Sequence, residues 1–180
     1  MPSELRPALE PIIKSLEDLT RRIRHYDRLI KEVSEKRYPE TALVRQISGV
    51  GPITGLAFIL TLEDASRFRK SRDVGAYIGL TPRQNQSGQT DMQLRITKAG
   101  DQHLRSLLVG SSQYILGPFG PDCDLRRFGL QMASRGGQNA KRRAVVAVAR
   151  KLAVKMHHLW KTGEAYDPLH RENRLQKEAA

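Results

Sequence analysis

Residues 5–33 carry apolar side chains at steps that alternate between four and three residues. An average step of about 3.5 residues is the period of a coiled-coil seam, because a straight helix repeats every 3.6 residues and drifts away from such a pattern. Tyr38-Pro39 is expected to end the helix, since the residue before a proline disfavours helical angles. The seam positions are Leu5, Leu9, Ile12, Leu16, Leu19, Ile23, Tyr26, Ile30 and Val33.

This periodicity predicts a coiled-coil helix over residues 1–38. The seam would pair two copies of the chain as a homo-oligomer, or it would fold back on a second helix. The alternative is one long amphipathic helix that packs on its own domain. The strict period favours the coiled coil, because an ordinary surface helix has no reason to hold a 3.5-residue repeat over four heptads.

The positive charge of the chain lies outside this helix. The formal net charge is +12, but residues 1–40 hold nine Lys/Arg against eight Asp/Glu, and residues 41–180 hold 22 against 11. A concentrated basic excess attracts a polyanion, most often DNA or RNA. Cys123 is the only cysteine, which suits a reducing cytoplasm. No apolar run is long enough for a membrane span, so we expect a cytoplasmic protein without a membrane partner.

A glycine-rich connection follows within Leu43–Leu60, "LVRQISGVGPITGLAFIL". A short apolar helix meets Gly49-Val50-Gly51, and a second helix begins at Pro52, which is tolerated in a first turn. This spacing is typical of a helix-hairpin-helix, whose exposed N–H groups bind backbone phosphate without reading base sequence. The alternative is an ordinary helical connection closed by glycines. The interpretation makes Gly49, Gly51 and Thr54 candidates for DNA contact.

The rest of the chain predicts an all-α fold: the N-terminal helix, a compact helical bundle over 41–163 with a small hairpin, and a flexible tail over 164–180. Ser71 and Asp101 are the expected N-caps of two helices. Gly163 is the expected C′ residue of the last helix, which we place over 138–162. A basic edge precedes Ser71, and Lys141-Arg142-Arg143 lie where cations oppose the helix dipole unless a phosphate is bound there.

The stretch Gly79–Thr90, "GLTPRQNQSGQT", interrupts the helical pattern. Serine and glycine are common in turns, so Ser87 by itself is a weak candidate for a nucleophile. A serine nucleophile needs an activating base or a metal, and no His-Asp pair lies at a recognisable spacing. Arg83 and Arg95 flank the loop and are suited to binding a phosphodiester. Alternating apolar residues at Met92, Leu94 and Ile96 indicate a short strand.

Three motifs in order, "ISGVGPITGLAFI", "FRKSRDVGAYIGLTPRQNQSG" and "ITKAGDQHLRSLL", resemble the C-terminal transposase domain of the insertion-sequence 110/116/902 transposases. The resemblance covers about residues 43–161, and pilin-gene invertases are relatives of that family. It implies a recombinase of bacterial or archaeal mobile elements, in a family that places a coiled coil before this domain. Some members are guided by a structured RNA. The family's nucleophile, a serine followed by glycine, matches Ser87.

Complete members of that family also begin with a RuvC-like domain whose acidic residues bind magnesium. We find no counterpart here, since Glu63-Asp64, Asp122 and Asp124 are few and lack the strand context. Magnesium is therefore expected only with that domain, supplied by a partner polypeptide or by full-length subunits; no metal site or cofactor is expected in these residues.

The leading interpretation is the DNA-binding, serine-bearing C-terminal part of a transposase, which transfers DNA strands only with the acidic domain. An alternative is a non-catalytic module for nucleic-acid binding and dimerisation, and a third is a coiled-coil assembly protein with incidental charge. The residues expected to contact DNA are Gly49, Gly51, Thr54, Arg67, Arg69, Lys70, Arg83, Arg95, Lys98, Arg105, Lys141, Arg142 and Arg143.

Overall fold

The computed structural model describes residues 5–83, 86–87, 90–91, 95–170 and 172–174, with the backbone alone for residues 6, 8, 86, 87, 90 and 91. The fold is all-α, as predicted. None of the helices in the described ranges is long and apolar enough to cross a membrane. The helices are α1 (Arg6–Arg37), α2 (Thr41–Arg45), α3 (Pro52–Leu62), α4 (Arg72–Tyr77), α5 (Gln102–Leu116), α6 (Asp124–Ser134) and α7 (Ala140–Thr162).

Helix α7 lies at the centre of the bundle, where α2, α4, α5 and α6 all pack against it. Its inward side chains are fully buried or nearly so, and include Val148, Leu152 and Met156. They meet Leu104 and Leu108 of α5 within one continuous apolar core. Burial of apolar surface is the main stabilising term in such a fold, at about 25 cal/mol per Å².

Helix α1 joins this bundle only through its last turns. Ser34 is completely buried, and its hydroxyl lies 2.8 Å from that of Thr41 at the start of α2. The Thr41 hydroxyl also donates to the carbonyl oxygen of Tyr38 at 2.7 Å, which closes the corner between the two helices. Toward the N-terminus the apolar seam is uncovered: Leu16, Ile23 and Tyr26 are 58%, 60% and 61% exposed.

A short antiparallel hairpin interrupts the helices between α4 and α5. Its tip consists of β1 (Gln86–Ser87) and β2 (Thr90–Asp91), with Ser87 paired to Thr90. Its stem pairs Pro82 with Ile96. Ile96 is half-buried, as its place in an alternating pattern suggests, whereas Met92 and Leu94 lie outside the described residues.

The segment that follows α7, predicted as a flexible tail, makes specific contacts in its described part. The Tyr166 N–H donates to the side-chain oxygen of Gln46 at 2.8 Å, and the Asp124 N–H donates to the Pro168 carbonyl at 2.8 Å. Glu172 accepts from Arg127 at 2.6 Å. These contacts bring Tyr166, Pro168 and Glu172 against the start of α6 and the turn after α2.

Candidate nucleic-acid interface

The hairpin that carries Ser87 is held by backbone hydrogen bonds along its stem. The N–H of Arg83 donates to the carbonyl of Arg95 at 3.0 Å, and the N–H of Thr97 donates to the carbonyl of Thr81 at 2.9 Å. The stem therefore consists of two chains joined by backbone hydrogen bonds. Ser87 belongs to the β1–β2 tip, where its backbone pairs with that of Thr90.

The two arginines predicted to flank the loop lie directly opposite each other on the stem. Directly opposite residues of an antiparallel pair present their side chains on the same face of the ladder. Both side chains are exposed, and no described carboxylate lies within ion-pair distance of either guanidinium. Like charges in this arrangement repel each other, so an anion bound between them would stabilise the stem.

The base of the hairpin rests on α4 and the first turn of α5. Gly79 has a φ of +78°, and a Cβ at this position would lie 2.1 Å from the Ala99 carbonyl oxygen, so only glycine allows the two stem chains to cross this closely. Arg105 donates from Nη1 to the carbonyls of Ile78 and Ala99, both at 3.0 Å. Its guanidinium therefore fastens the hairpin base, and Lys98 is exposed beside it.

The two glycines of the predicted helix-hairpin-helix have different surroundings. Gly49 has a φ of +92°, and a Cβ there would lie 2.9 Å from Cδ1 of Tyr114 on α5. Gly51 has ordinary extended angles and open space around the position of a Cβ. Thr54 is buried, with 7% exposure. Gly49 is thus required by packing, whereas the space beside Gly51 at the start of α3 admits a ligand atom.

The basic edge before α4 is fastened to the C-terminal half of α7. Its first residues form one 3-10 turn, Ala65–Arg67. Arg67 is engaged by its own neighbours: Nη1 donates to Glu63 at 2.9 Å, and the guanidinium lies 5.7 Å from the ring centroid of Tyr77. Arg69 and Lys70 are exposed.

His157 fastens this edge from within the core, with 0% exposure. Its Nε2 lies 2.9 Å from the carbonyl oxygen of Ala65 and its Nδ1 lies 2.9 Å from the hydroxyl of Ser71. A carbonyl only accepts, so Nε2 carries the proton of the neutral ring, and Nδ1 accepts from Ser71. Burial lowers the pKa of His157, which keeps the ring neutral near pH 7.

Ser71 was expected to cap α4, and its hydroxyl instead takes this tertiary contact. Ser71 has helical backbone angles and makes no side-chain cap bond. The other expected cap is confirmed, because the Asp101 carboxylate accepts from the Leu104 N–H at 2.6 Å. A capping residue usually has extended backbone angles, which Ser71 lacks, and its hydroxyl donates to the buried ring nitrogen of His157.

The other predicted basic cluster lies at the opposite end of α7. Lys141, Arg142 and Arg143 are exposed in a first turn that contains no acidic residue. The positive end of the helix dipole disfavours cations by a few tenths of a kcal/mol each, roughly 0.3–1 at most. The basic edge lies beside His158 near the other end of α7, and Arg142 and His158 are about 24 Å apart along the axis at 1.5 Å per residue. The two basic clusters are therefore too far apart to contact the same phosphate group.

The carboxylates considered for a metal site are used in other contacts. Asp64 accepts from the N–H of Ser66 at 2.7 Å, and Glu63 pairs with Arg67 at 2.9 Å. Asp122 pairs with Arg127 at 2.7 Å. Across the described parts of the chain, no three His, Cys, Asp or Glu side chains lie close enough to hold a metal ion. These residues do not fit the magnesium site that the family resemblance implies for a complete enzyme.

The predicted site residues thus fall into separate places. The hairpin brings together Arg83, Arg95 and the backbone of Ser87, with Lys98 and Arg105 at its base. The glycine turn contacts α5 at Tyr114, which lies about 14 Å along that helix from Arg105 at the hairpin base. Arg150 on α7 is a basic residue that was not predicted as a site residue from the sequence. Its Cγ lies 3.0 Å from the position that a Cβ on Gly75 of α4 would occupy. The signal in the sequence was that Arg150, Val154 and His158 follow one another at steps of four residues, which places them on one face of a helix.

Comparison with known proteins identifies the class to which this helical domain belongs. Residues 41–116, which hold the glycine turn and the serine hairpin, match the model of the transposase IS116/IS110/IS902 family. These residues belong to the transposase domain of that family. The resemblance recognised from the three sequence motifs is therefore confirmed.

Individual relatives agree with this family. The chain is 34% identical over 142 residues to the transposase for insertion sequence element IS1111A of Coxiella burnetii, which covers 78% of this chain and 38% of that protein. It is 38% identical over 100 residues to the transposase for insertion sequence element IS1328 of Yersinia enterocolitica, covering 51% and 30%. The pilin gene-inverting protein of Moraxella lacunata is 26% identical over 171 residues, covering 89% and 51%. The chain spans between about a third and a half of the length of these relatives.

Proposed function

We propose that this chain is the DNA-binding, serine-bearing part of an insertion-sequence transposase, and that Ser87 is its nucleophile in strand transfer. One observation carries the proposal: the serine-bearing loop of a transposase domain is built as a hairpin whose stem holds two directly opposite arginines, neither within ion-pair distance of a described carboxylate. A phosphodiester seated at that stem would relieve their repulsion and lie beside the chain that leads to Ser87.

The chemistry of this step is a phosphoryl transfer. The Ser87 oxygen attacks the phosphorus, a Ser–O–P bond forms, and the bond from phosphorus to one deoxyribose oxygen breaks. The hydroxyl proton passes to a base, and the departing oxygen takes a proton. Arg83 and Arg95 would stabilise negative charge on the non-bridging oxygens, which is the usual role of arginine in such reactions. The covalent link is then passed to another DNA end.

Activation of the serine requires groups outside the described residues. We propose that the magnesium-binding acidic domain of the family supplies them, from a partner polypeptide or full-length transposase subunits. A second copy of this chain is the proposed partner for the uncovered seam of α1, whose apolar side chains are about half exposed along residues 5–29. Such pairing would place two serine hairpins in one assembly, as joining two DNA ends requires. A structured guide RNA would be a further ligand of the basic clusters.

The test is a covalent adduct. The chain is mixed with an acidic domain from a relative, magnesium and a labelled element-end DNA, and the products are separated under denaturing conditions. We expect a labelled protein–DNA species with the unmodified chain and none with Ser87→Ala, because alanine offers no nucleophile. Thr90→Ala is the matched control, since Thr90 pairs with Ser87 on the same hairpin.

Two outcomes would change the assignment. An adduct that persists in Ser87→Ala would show that another residue attacks. The acidic domain must first be shown to form an adduct with the serine domain of its own protein. If this chain then binds DNA but forms no adduct, the alternative is favoured, a non-catalytic module for nucleic-acid binding and dimerisation.

A further inference from the structure

A shallow groove runs between the segment before α4 and the C-terminal half of α7. Its volume is about 490 Å³, and its lining consists of Lys70, Ser71, Arg72, Val154 and His158. Lys70 and Arg72 form one wall and are exposed, and His158 stands on the opposite wall. Val154 provides the apolar part of the lining. No carboxylate belongs to the lining.

The cationic wall is held in place from beneath. The Lys161 ammonium donates to the carbonyls of Phe68 and Arg69 at 3.0 and 3.3 Å, and His157 holds Ser71 and Ala65. The Phe68 ring packs edge-on against that of His157, with centroids 5.5 Å apart. The backbone carbonyls of Phe68 and Arg69 point toward α7. The side chains of Lys70 and Arg72, which follow them in the chain, are exposed to solvent. A preorganised cation loses less conformational freedom on binding than a mobile one.

The charges around the groove are mostly positive. Arg150 lies one turn before Val154 on α7, and its side chain crosses Gly75 of α4. His158 is 3.3 Å from Glu164, which lies outside the lining. Asp73 is exposed on the first turn of α4. The cations thus outnumber the carboxylates, and they are spread over the segment before α4, α4 itself and α7, which suits an extended polyanion better than a single small anion.

We propose that this groove binds a backbone phosphate of nucleic acid, with Lys70 and Arg72 as the contacting residues and His157 as a positioning residue behind them. The inference rests on the proposed DNA-binding function and adds a site of its own to it. Val154 then packs against the sugar next to that phosphate. The basic first turn of α7, about 24 Å away along the axis, would hold a later phosphate of the same strand or duplex.

The experiment measures the affinity of the full chain for a fluorescent duplex of random sequence over a range of salt concentrations. The test variant is Lys70→Gln with Arg72→Gln. The control is Arg24→Gln with Arg28→Gln on α1, which removes the same charge from exposed positions far along the helix from the bundle. Each lost phosphate contact lowers the slope of log K against log salt by about 0.9. Because the groove holds one phosphate, we expect a decrease of roughly 0.9 in the test variant and none in the control.

A second measurement locates the contact without any substitution. Lysines of the free and DNA-bound chain are acetylated briefly and compared by mass spectrometry. We expect Lys70 to be protected by DNA while Lys14 on α1 reacts equally in both states. Protection of Lys70 together with the loss of slope supports the groove.

Three results would overturn the inference. If the test variant binds DNA with an unchanged slope, the groove is excluded as a DNA contact, while the proposed DNA binding by the chain is retained. Full reactivity of Lys70 in the complex would do the same, even if affinity fell. A wild-type chain that binds no duplex at low salt would refute both the groove and the proposed function.

Discussion

Replacing His157 by phenylalanine would remove two hydrogen bonds and retain an aromatic ring of similar shape. The ring is completely buried, and it packs edge-on against Phe68 and Trp160 with centroids 5.5 and 6.5 Å away. These apolar contacts can survive in His157→Phe. What disappears is the pair of bonds to Ser71 and Ala65, which fasten the basic edge before α4 to the core.

The expected loss of stability follows from these bonds. A typical intramolecular hydrogen bond contributes a net 0.5–1.5 kcal/mol, so two of them contribute about 1–3 kcal/mol. Ser71 and Ala65 are half-buried, and water can reach them once the ring nitrogens are gone. His157→Ala also leaves a cavity, and truncation of a buried ring costs about 3–5 kcal/mol. The alanine variant should therefore be the less stable of the two.

The stability difference between the wild type and His157→Phe should depend on pH, and the pKa of His157 determines the direction of the change. Burial lowers the pKa of His157 below its ordinary value of 6.5, and the nearby charges of Lys161 and His158 lower it further, while the bond to Ala65 opposes the shift. As the pH falls below about 6.5, the unfolded chain binds a proton at this position before the folded chain does. The wild type loses that stability on acidification and His157→Phe does not. The difference between them should therefore be largest above pH 7 and shrink toward pH 5.

Chemical denaturation at several pH values measures the free energy of unfolding of both proteins. His103→Phe is the matched control, because His103 is exposed on α5 and should change stability by less than about 0.5 kcal/mol. DNA affinity should also fall in His157→Phe, although no charge has been removed near the groove. A difference from wild type that stays constant from pH 8 to pH 5, or grows, would refute the buried neutral histidine.

The other predictions concern the seam, the glycine turn and the basic helix start. Aspartate at Leu16 and Ile23 would bury charges in a coiled coil at a cost of several kcal/mol each, so sedimentation should detect a smaller species; an unchanged mass would contradict pairing through α1. Gly49→Ala should lower the melting temperature more than Gly51→Ala, because only Gly49 has a positive φ and a close neighbour, and equal melting temperatures would contradict this packing. Gly51→Val should weaken DNA binding while thermal stability is largely retained, and wild-type affinity would exclude phosphate approach at this turn. Removing Lys141, Arg142 and Arg143 together should lower the salt slope by roughly 0.9 for each lost phosphate contact, and a slope unchanged from wild type would place the DNA elsewhere.

Much of the helical architecture could be predicted because its signals are local. The heptad period predicted α1, which extends over Arg6–Arg37. The Asp101 cap and the terminal Gly163, with a φ of +70°, follow from rules that involve only a few neighbouring residues. The three motifs also identified the transposase domain before any geometry was known.

The exposure of the seam could not be predicted in the same way. The 3.5-residue period is compatible with a partner helix from another chain, a partner from the same chain, or the surface of the bundle. In the last turns of α1, Ser34 is buried and Ile30 is half-buried, whereas Leu16 and Ile23 are left without cover from the described bundle. The direction of α1 relative to the bundle depends on tertiary contacts such as the one between Ser34 and Thr41, which the period of the seam does not encode.

The sequence by itself determined the all-helical class, the long N-terminal helix, the glycine turn and the family of the central domain, because each depends on residue types at short, fixed spacings. Only the tertiary structure placed Arg83 opposite Arg95, turned Arg105 onto the hairpin base, and drew the Ser71 hydroxyl from its expected cap to His157, 86 residues away. These contacts join positions distant in sequence, and their energies depend on burial and direction. Neither quantity exists until the chain has packed around α7.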